Sequence, residues 1–242
     1  MCKLSDPGTC ASLLLHAVQS IASFRARPHE TEGCPSVNSV KKRAPGPRGD
    51  LDRAGFVALV CEAAEGIVRD QGVRALGMRP LAAAIGYAPN SIYNAVGDLD
   101  AVLLRVNART FGRLKAALAA ALDPDASARA NAAALASAYL AFVAADPAVW
   151  SLVSEYAPAR GAAAPEWYWE ALAGATDLVD ATLAPLLPDA AERAQAVAAL
   201  WASLHGLASL STSGKLGALT DAAPADLARM LVARFLAAEP GG

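Results

Sequence analysis

The chain has 242 residues, 55% of them hydrophobic, with 21 basic and 23 acidic side chains and a formal charge of −2. That length allows one large domain or two small ones with an ample core, and abundant Ala with few strand formers leans the chain to helix. The charge balance excludes a uniformly basic nucleic-acid binder, so any nucleic-acid contact has to come from a local patch.

Residues 1–47 mix Pro, Ser, Gly, Cys and charge without a sustained period, and read as a disordered N-terminal extension. The apolar run Leu13–Val18 is broken by His16 and is too short to span a membrane. The abrupt change of composition raises the alternative that translation starts near Val37 or Val40. Next come Lys41, Lys42, Arg43 and Arg48 in a Pro/Gly-rich linker. Two readings stand for it: a solvated linker, or an arm that follows a DNA backbone or enters a minor groove.

Asp52 suits a helix start, and Phe56, Val57, Val60, Ala64, Ile67 and Val68 make one apolar stripe that Gly72 ends. Then Met78–Val96 predicts two short helices and a tight turn. Leu81, Ala82 and Ile85 give the first an apolar face, and Pro80 is tolerated in its first turn. Gly86 stands where a helix exit needs a left-handed residue. Pro89 opens the second, which turns Ile92 and Val96 inward and leaves Asn90, Ser91, Tyr93 and Asn94 outside. That is the layout of a helix-turn-helix, with small polar and aromatic side chains available to base edges and phosphates.

Asp98 and Asp100 open a longer helix to about Ala121, apolar on two sides and therefore able to touch two domains. Asp123-Pro124-Asp125 stops it. Beyond Ser127 the chain is helical with breaks: one helix to Ala145, a short one from Ala148 to Tyr156 carrying Trp150, one from about Pro165 to Leu186, one from Ala190 to about Ser213, and a last from Pro224 to Ala238. Trp201 and His205 are four apart and share a helix face. Gly206 beside them permits close approach of another helix. His205 is either a satisfied core histidine or a ligand contact.

The run Ile85-Gly-Tyr-Ala-Pro-Asn-Ser-Ile-Tyr-Asn-Ala-Val-Gly-Asp-Leu-Asp-Ala-Val-Leu103 resembles the DNA-binding signature of the tetracycline-repressor (TetR) family, over roughly Asp52 to Ala116. Two departures stand out. Ala95-Val96 replaces the usual His-Phe, and Leu99 replaces the Lys that opens the fourth helix and grips a phosphate. Trp201-Ala-Ser-Leu-His205-Gly206, followed by Ser213-Gly-Lys-Leu-Gly217, is similar to the Trp-His-Gly element of one class of C-terminal domains in that family. The resemblance implies an all-α protein. Its parts are a helix-turn-helix domain over residues 48–110 and a helical regulatory and dimerisation domain over 111–239. It further implies DNA contacts from Arg79, Ala88, Pro89, Asn90, Ser91, Tyr93 and Asn94. The last two helices would form a homodimer interface, with Leu200, Leu204, Leu207, Leu227, Leu231 and Phe235 as its apolar candidates.

Catalysis needs a convergent set of chemical groups, and the three histidines His16, His29 and His205 do not supply one. No nucleophile elbow, phosphate loop, dinucleotide fingerprint or His-Glu-x-x-His occurs. The cysteines Cys2, Cys10, Cys34 and Cys61 form no Cys-x-x-Cys pair, which argues against zinc and disulfides and fits a reducing cytoplasm. We therefore expect no enzyme, cofactor or metal, but a ligand-responsive, dimeric transcription regulator, most often a repressor in this family, on a palindromic operator. The alternative is a helical dimeric binding module that has lost DNA binding. Tyr139, Phe142, Trp150, Trp167 and Tyr168, with Trp201 and His205, suggest an apolar or aromatic effector, or else simply a core.

Overall fold

Asp and Ser side chains start four of the longer helices of this protein. Asp52 accepts from the Gly55 N–H at 2.8 Å, Asp98 from Ala101 at 2.8 Å, Ser127 from Ala130 at 3.2 Å and Asp189 from Glu192 at 2.8 Å. Each satisfies a backbone donor that has no partner inside its helix. The computed structural model describes residues 51–155 and 164–237, and all their regular structure is helical. The helices are α1 (Arg53–Gln71), α2 (Met78–Ile85), α3 (Pro89–Ala95), α4 (Leu99–Ala120) and α5 (Ala128–Ala145), followed by α6 (Pro147–Glu155), α7 (Glu166–Leu183), α8 (Ala190–Thr212) and α9 (Pro224–Ala237). Single 3₁₀ turns stand at Val73–Ala75 and Leu216–Ala218. The expected all-α fold is what forms. The third-last helix stops at Leu183 rather than Leu186. Instead, the Leu186 and Leu187 N–H groups both donate to the Leu183 carbonyl.

Two apolar cores result. The first gathers Val60, Ala64 and Val68 of α1, Leu81 of α2, Ile92 of α3 and Val102, Leu103 and Val106 of α4. The second gathers Phe111, Leu114 and Leu118 of α4 with Leu135, Tyr139 and Val143 of α5, Tyr168 and Leu172 of α7, Trp201 of α8 and Val232 of α9. Helix α4 runs unbroken through both, so the expected boundary between residues 110 and 111 falls inside it. Val149 and Leu152 of α6, far along the chain, also pack into the first core. Helix α5 is the one described helix long and apolar enough to cross a membrane. Here it packs against α4, α7, α8 and α9, and Arg129 near its start donates to the Leu236 carbonyl at the end of α9, 2.7 Å away.

One charged group is buried at the joint between the cores. Glu65 of α1 is 3% exposed, yet it meets three guanidinium groups. Arg69 reaches it at 3.1 Å, Arg113 of α4 at 2.9 Å and Arg109 of α4 at 3.8 Å. Arg69 also binds Asp146 at 2.8 Å, and Asp146 in turn accepts from the Val149 N–H at the start of α6. A buried carboxylate without partners would be costly, and this one is held by helices from both sides. Glu65→Gln should cost about 1–3 kcal/mol of stability. The half-exposed arginines can rehydrate, which keeps the loss below that of a fully buried pair. Urea denaturation measures it.

Candidate functional site

The turn between α2 and α3 is set by backbone stereochemistry. Gly86 has φ 73° and ψ 23°, and its N–H and that of Tyr87 close onto the carbonyls of Ala83 and Ala82. A side chain there would be strained. Tyr87 packs edge-on against Phe56 of α1, with centroids 5.0 Å apart, and ties the turn to the first core. Pro89 starts α3, where its missing N–H leaves no bond unmade.

Helix α3 buries Ile92 completely and turns Asn90, Tyr93 and Asn94 outward, with Tyr93 49% exposed. Ala88 is exposed, while Pro89 and Ser91 are half-buried. Arg79 stands exposed at the start of α2, with no hydrogen bond or ion pair among the described residues. A cation that the sequence pattern did not single out lies nearby. Arg53 donates to the Ala95 carbonyl at 3.2 Å, at the C-terminal end of α3. A positive side chain is favourable there. Leu99 is half-buried and packs on the first core, which accounts for a leucine at that position. Lys41, Lys42, Arg43 and Arg48, and the expected tail over residues 1–47, lie outside the described residues.

The aromatic candidates separate into two groups. Tyr139, Phe142, Trp150, Trp201 and His205 form one cluster. Tyr139 lies 5.6 Å from Trp150 and 5.4 Å from Trp201, and Trp150 lies 5.9 Å from Phe142 and 6.1 Å from His205. Trp167 and Tyr168 sit on α7, with Tyr168 against Phe111 at 5.7 Å and Trp167 under the Arg105 guanidinium at 5.1 Å. Burial pushes the Tyr168 hydroxyl up to about 12, opposed by the Asn107 side chain.

An apolar cavity of about 40 Å³ lies between α4, α5, α7, α8 and α9, lined by Tyr139 and Trp201 together with Leu118, Leu135, Leu200 and Leu204. Phe142, Trp150, Trp167, Tyr168 and His205 do not line it. His205 stands behind it, with Nδ1 3.0 Å from the Tyr139 hydroxyl. Burial lowers the imidazole and raises the phenol, so both are neutral at pH 7. With both neutral, one proton is shared along this contact, carried by the Tyr139 hydroxyl or by Nδ1 according to the imidazole tautomer.

The interface candidates also divide. Leu200 is 4% exposed and lines the cavity of its own subunit, which leaves a partner almost none of its surface. Leu204, Leu207 and Phe235 pack against the second core. Leu227 and Leu231 are half-buried outside that core, and Met230 beside them is 56% exposed. On α8, Ala199, Ala202, Ser203 and Gly206 are exposed, and a Cβ added to Gly206 would meet nothing within 4 Å. Among the described residues no helix uses the close approach that Gly206 permits. Among the described residues no three His, Cys, Asp or Glu side chains converge as a metal site would need.

The architecture is a helix-turn-helix joined by one continuous helix to a larger all-α domain. Residues 132–235 match the family model described as the tetracyclin repressor-like C-terminal domain. The fold is shared with a protein of unknown function from Rhodococcus sp. RHA1, at 25% identity and TM-score 0.64 over 80% of this chain and 97% of that one. It is also shared with a TetR-like transcriptional regulator from the same organism, at 22% identity and TM-score 0.53 over 78% and 100%. A third solved structure, the multidrug binding protein EbrR complexed with imidazole, aligns at 22% identity and TM-score 0.52 over 78% and 98%. Comparison with curated protein sequences gives no match. Residues 132–235 thus form a tetracyclin repressor-like C-terminal domain, and the described fold is the one these solved structures share.

His205 carries a pH dependence whose sign follows from its burial. Its folded pKa is lowered, while the unfolded chain titrates near 6.5. The unfolded state therefore takes up a proton first as the pH falls. Stability is fully present above 6.5 and is lost as the pH drops through the folded value. His205→Gln should remove part of that loss. Urea midpoints at about pH 7.5 and about pH 5.5 should lie closer together in the variant than in the parent.

Proposed function

We propose that the protein is a ligand-responsive repressor that binds a palindromic DNA operator as a homodimer in the cytoplasm. The observation that carries this reading is the outer face of α3. Asn90, Tyr93 and Asn94 project from a short helix whose inward Ile92 is wholly buried, and Tyr93 is half open to contact. Tyr93 would pack on a sugar-phosphate or a thymine methyl, the asparagines would read base edges, and Ala88, Pro89 and Ser91 would set the approach. Arg79 and Arg53 would add phosphate contacts at the two ends. The basic run Lys41, Lys42, Arg43 and Arg48 would follow the backbone beside them.

One such head reads only a few base pairs, so two must act together on a two-fold site. The exposed small-residue side of α8 and the Leu227–Met230–Leu231 rim of α9 suit a pairing of four helices. The effector is a small apolar or aromatic molecule taken up by the second domain. A cavity of about 40 Å³ holds little more than one water. Ligand entry therefore has to open it, and the ligand's preference for the opened state limits how far it can shift the reading heads. A second reading, a helical dimer with weak or lost DNA binding, is favoured by Leu99 in place of a phosphate-gripping lysine and by acidic Asp98 and Asp100 around it. A gel shift with the intergenic DNA upstream of the protein's own coding sequence separates the two. A salt-dependent shift supports the repressor; no shift at low salt leaves the binding module.

Tyr93→Ala should weaken operator binding by about 1–3 kcal/mol with the dimer intact. Unchanged affinity would move the reading surface to other residues. Leu231→Glu should give a folded monomer that no longer binds the operator, because a charge inside a two-fold interface is desolvated in both subunits. Sedimentation reports the mass and circular dichroism the helix content. A variant that remains dimeric would place the interface on other helices.

A further inference from the structure

A second cavity, of about 220 Å³, opens where α1, α4, α5 and α6 meet. One wall carries Arg69, Arg113, Thr110 and Asp146, and the other carries Phe142 and Trp150. The two guanidinium groups are built into the fold and still retain donors. Arg69 uses Nε on Asp146 and Nη2 on Glu65, and its Nη1 has no partner among the described residues. Arg113 uses Nη1 on Glu65 and Nη2 on the Thr110 hydroxyl, and its Nε has none. Both side chains are less than half exposed, at 43% and 42%.

Around this wall three guanidinium groups, those of Arg69, Arg109 and Arg113, share the carboxylates of Glu65 and Asp146. With Glu62, which meets Arg109 at 3.3 Å, this cluster balances at three positive and three negative charges; the charged side chains that line the cavity itself, Arg69, Arg113 and Asp146, leave one positive charge in excess. The Trp150 Nε1–H is buried without a protein partner among the described residues. A cavity with a guanidinium wall, an aromatic wall and one net positive charge selects an acid with a flat apolar body. Asp146 on the same wall tolerates a monoanion better than a dianion.

We propose that this junction cavity binds a small aromatic monocarboxylate, with its carboxylate on Arg69 and Arg113 and its ring against Phe142 and Trp150. The bound carboxylate competes with Asp146 for Arg69, and so acts on the contact that ties α1 to the start of α6. That the acid serves as an effector rests on the proposed repressor reading; that it binds does not.

Calorimetric titration of the full chain with phenylacetate, phenylacetamide and phenyl phosphate tests the site. Phenylacetate is expected to bind about tenfold or more tighter than its neutral amide, from the charge-assisted bonds alone, and tighter than the phosphate. Its affinity should fall as salt is added. Arg113→Met should abolish that preference. Ala145→Phe, at an exposed position on the cavity rim, should block binding without touching any charge. Equal affinity for acid and amide, tightest binding of phenyl phosphate, undiminished binding by Ala145→Phe, or no phenylacetate binding at millimolar concentration would each overturn the proposal. The titration contains no DNA. A protein that takes up phenylacetate but shifts no operator would therefore overturn the repressor reading and leave the site standing.

Discussion

The buried carboxylate of Glu65 is the constraint on which the rest of the arrangement depends. Apolar packing brings α1 and α4 face to face, and a carboxylate that is 3% exposed adds a demand that no apolar side chain makes. It must keep Arg69, Arg109 and Arg113 within reach, and those residues come from two helices. Arg109 also donates to the Ala58 carbonyl at 3.2 Å, one further tie between α4 and α1. The Arg69–Asp146 pair extends the constraint to the start of α6. The geometry of the helix-turn-helix relative to the helical body is thus written largely in charge.

The body is held differently. Its core is a lattice of ring contacts between α5, α6 and α8 over a seam of aliphatic residues, with one polar pair, Tyr139 and His205, inside it. Both members of that pair are neutral, so neither demands a counter-charge, and the hydrogen bond between them satisfies a hydroxyl that burial would otherwise penalise. A core of this kind tolerates small rearrangements of rings and methyl groups far better than the joint tolerates loss of a charge.

What the sequence disclosed and what it concealed divide along the same line. The helix-turn-helix was legible because its determinants are local: Gly86 at a left-handed turn, Pro89 at a helix start, and the inward spacing of Ile92 and Val96. The aspartate and serine caps were legible for the same reason. Glu65 was not, since nothing in a helix pattern says that a glutamate inside an apolar stripe meets arginines almost fifty residues away. The aromatic residues were legible as a cluster, yet only Tyr139 and Trp201 of that group line the apolar cavity. Periodicity tells which face of a helix is apolar and leaves open what covers it. Leu200 makes the same point: its spacing fits a partner-facing stripe, and its own subunit covers it.

That helix has a mechanical consequence. Twenty-two residues in one unbroken α4 span roughly 33 Å at about 1.5 Å per residue. Its C-terminal turns belong to the body and its N-terminal turns to the helix-turn-helix domain, and Gly112 between them keeps helical backbone. Such a rod behaves as a lever rather than a hinge. A tilt of about 2° at one end moves the other by roughly 1 Å over that length. A displacement that a packed core could absorb with a single side-chain adjustment is therefore delivered at the far end at a size that hydrogen bonds can register.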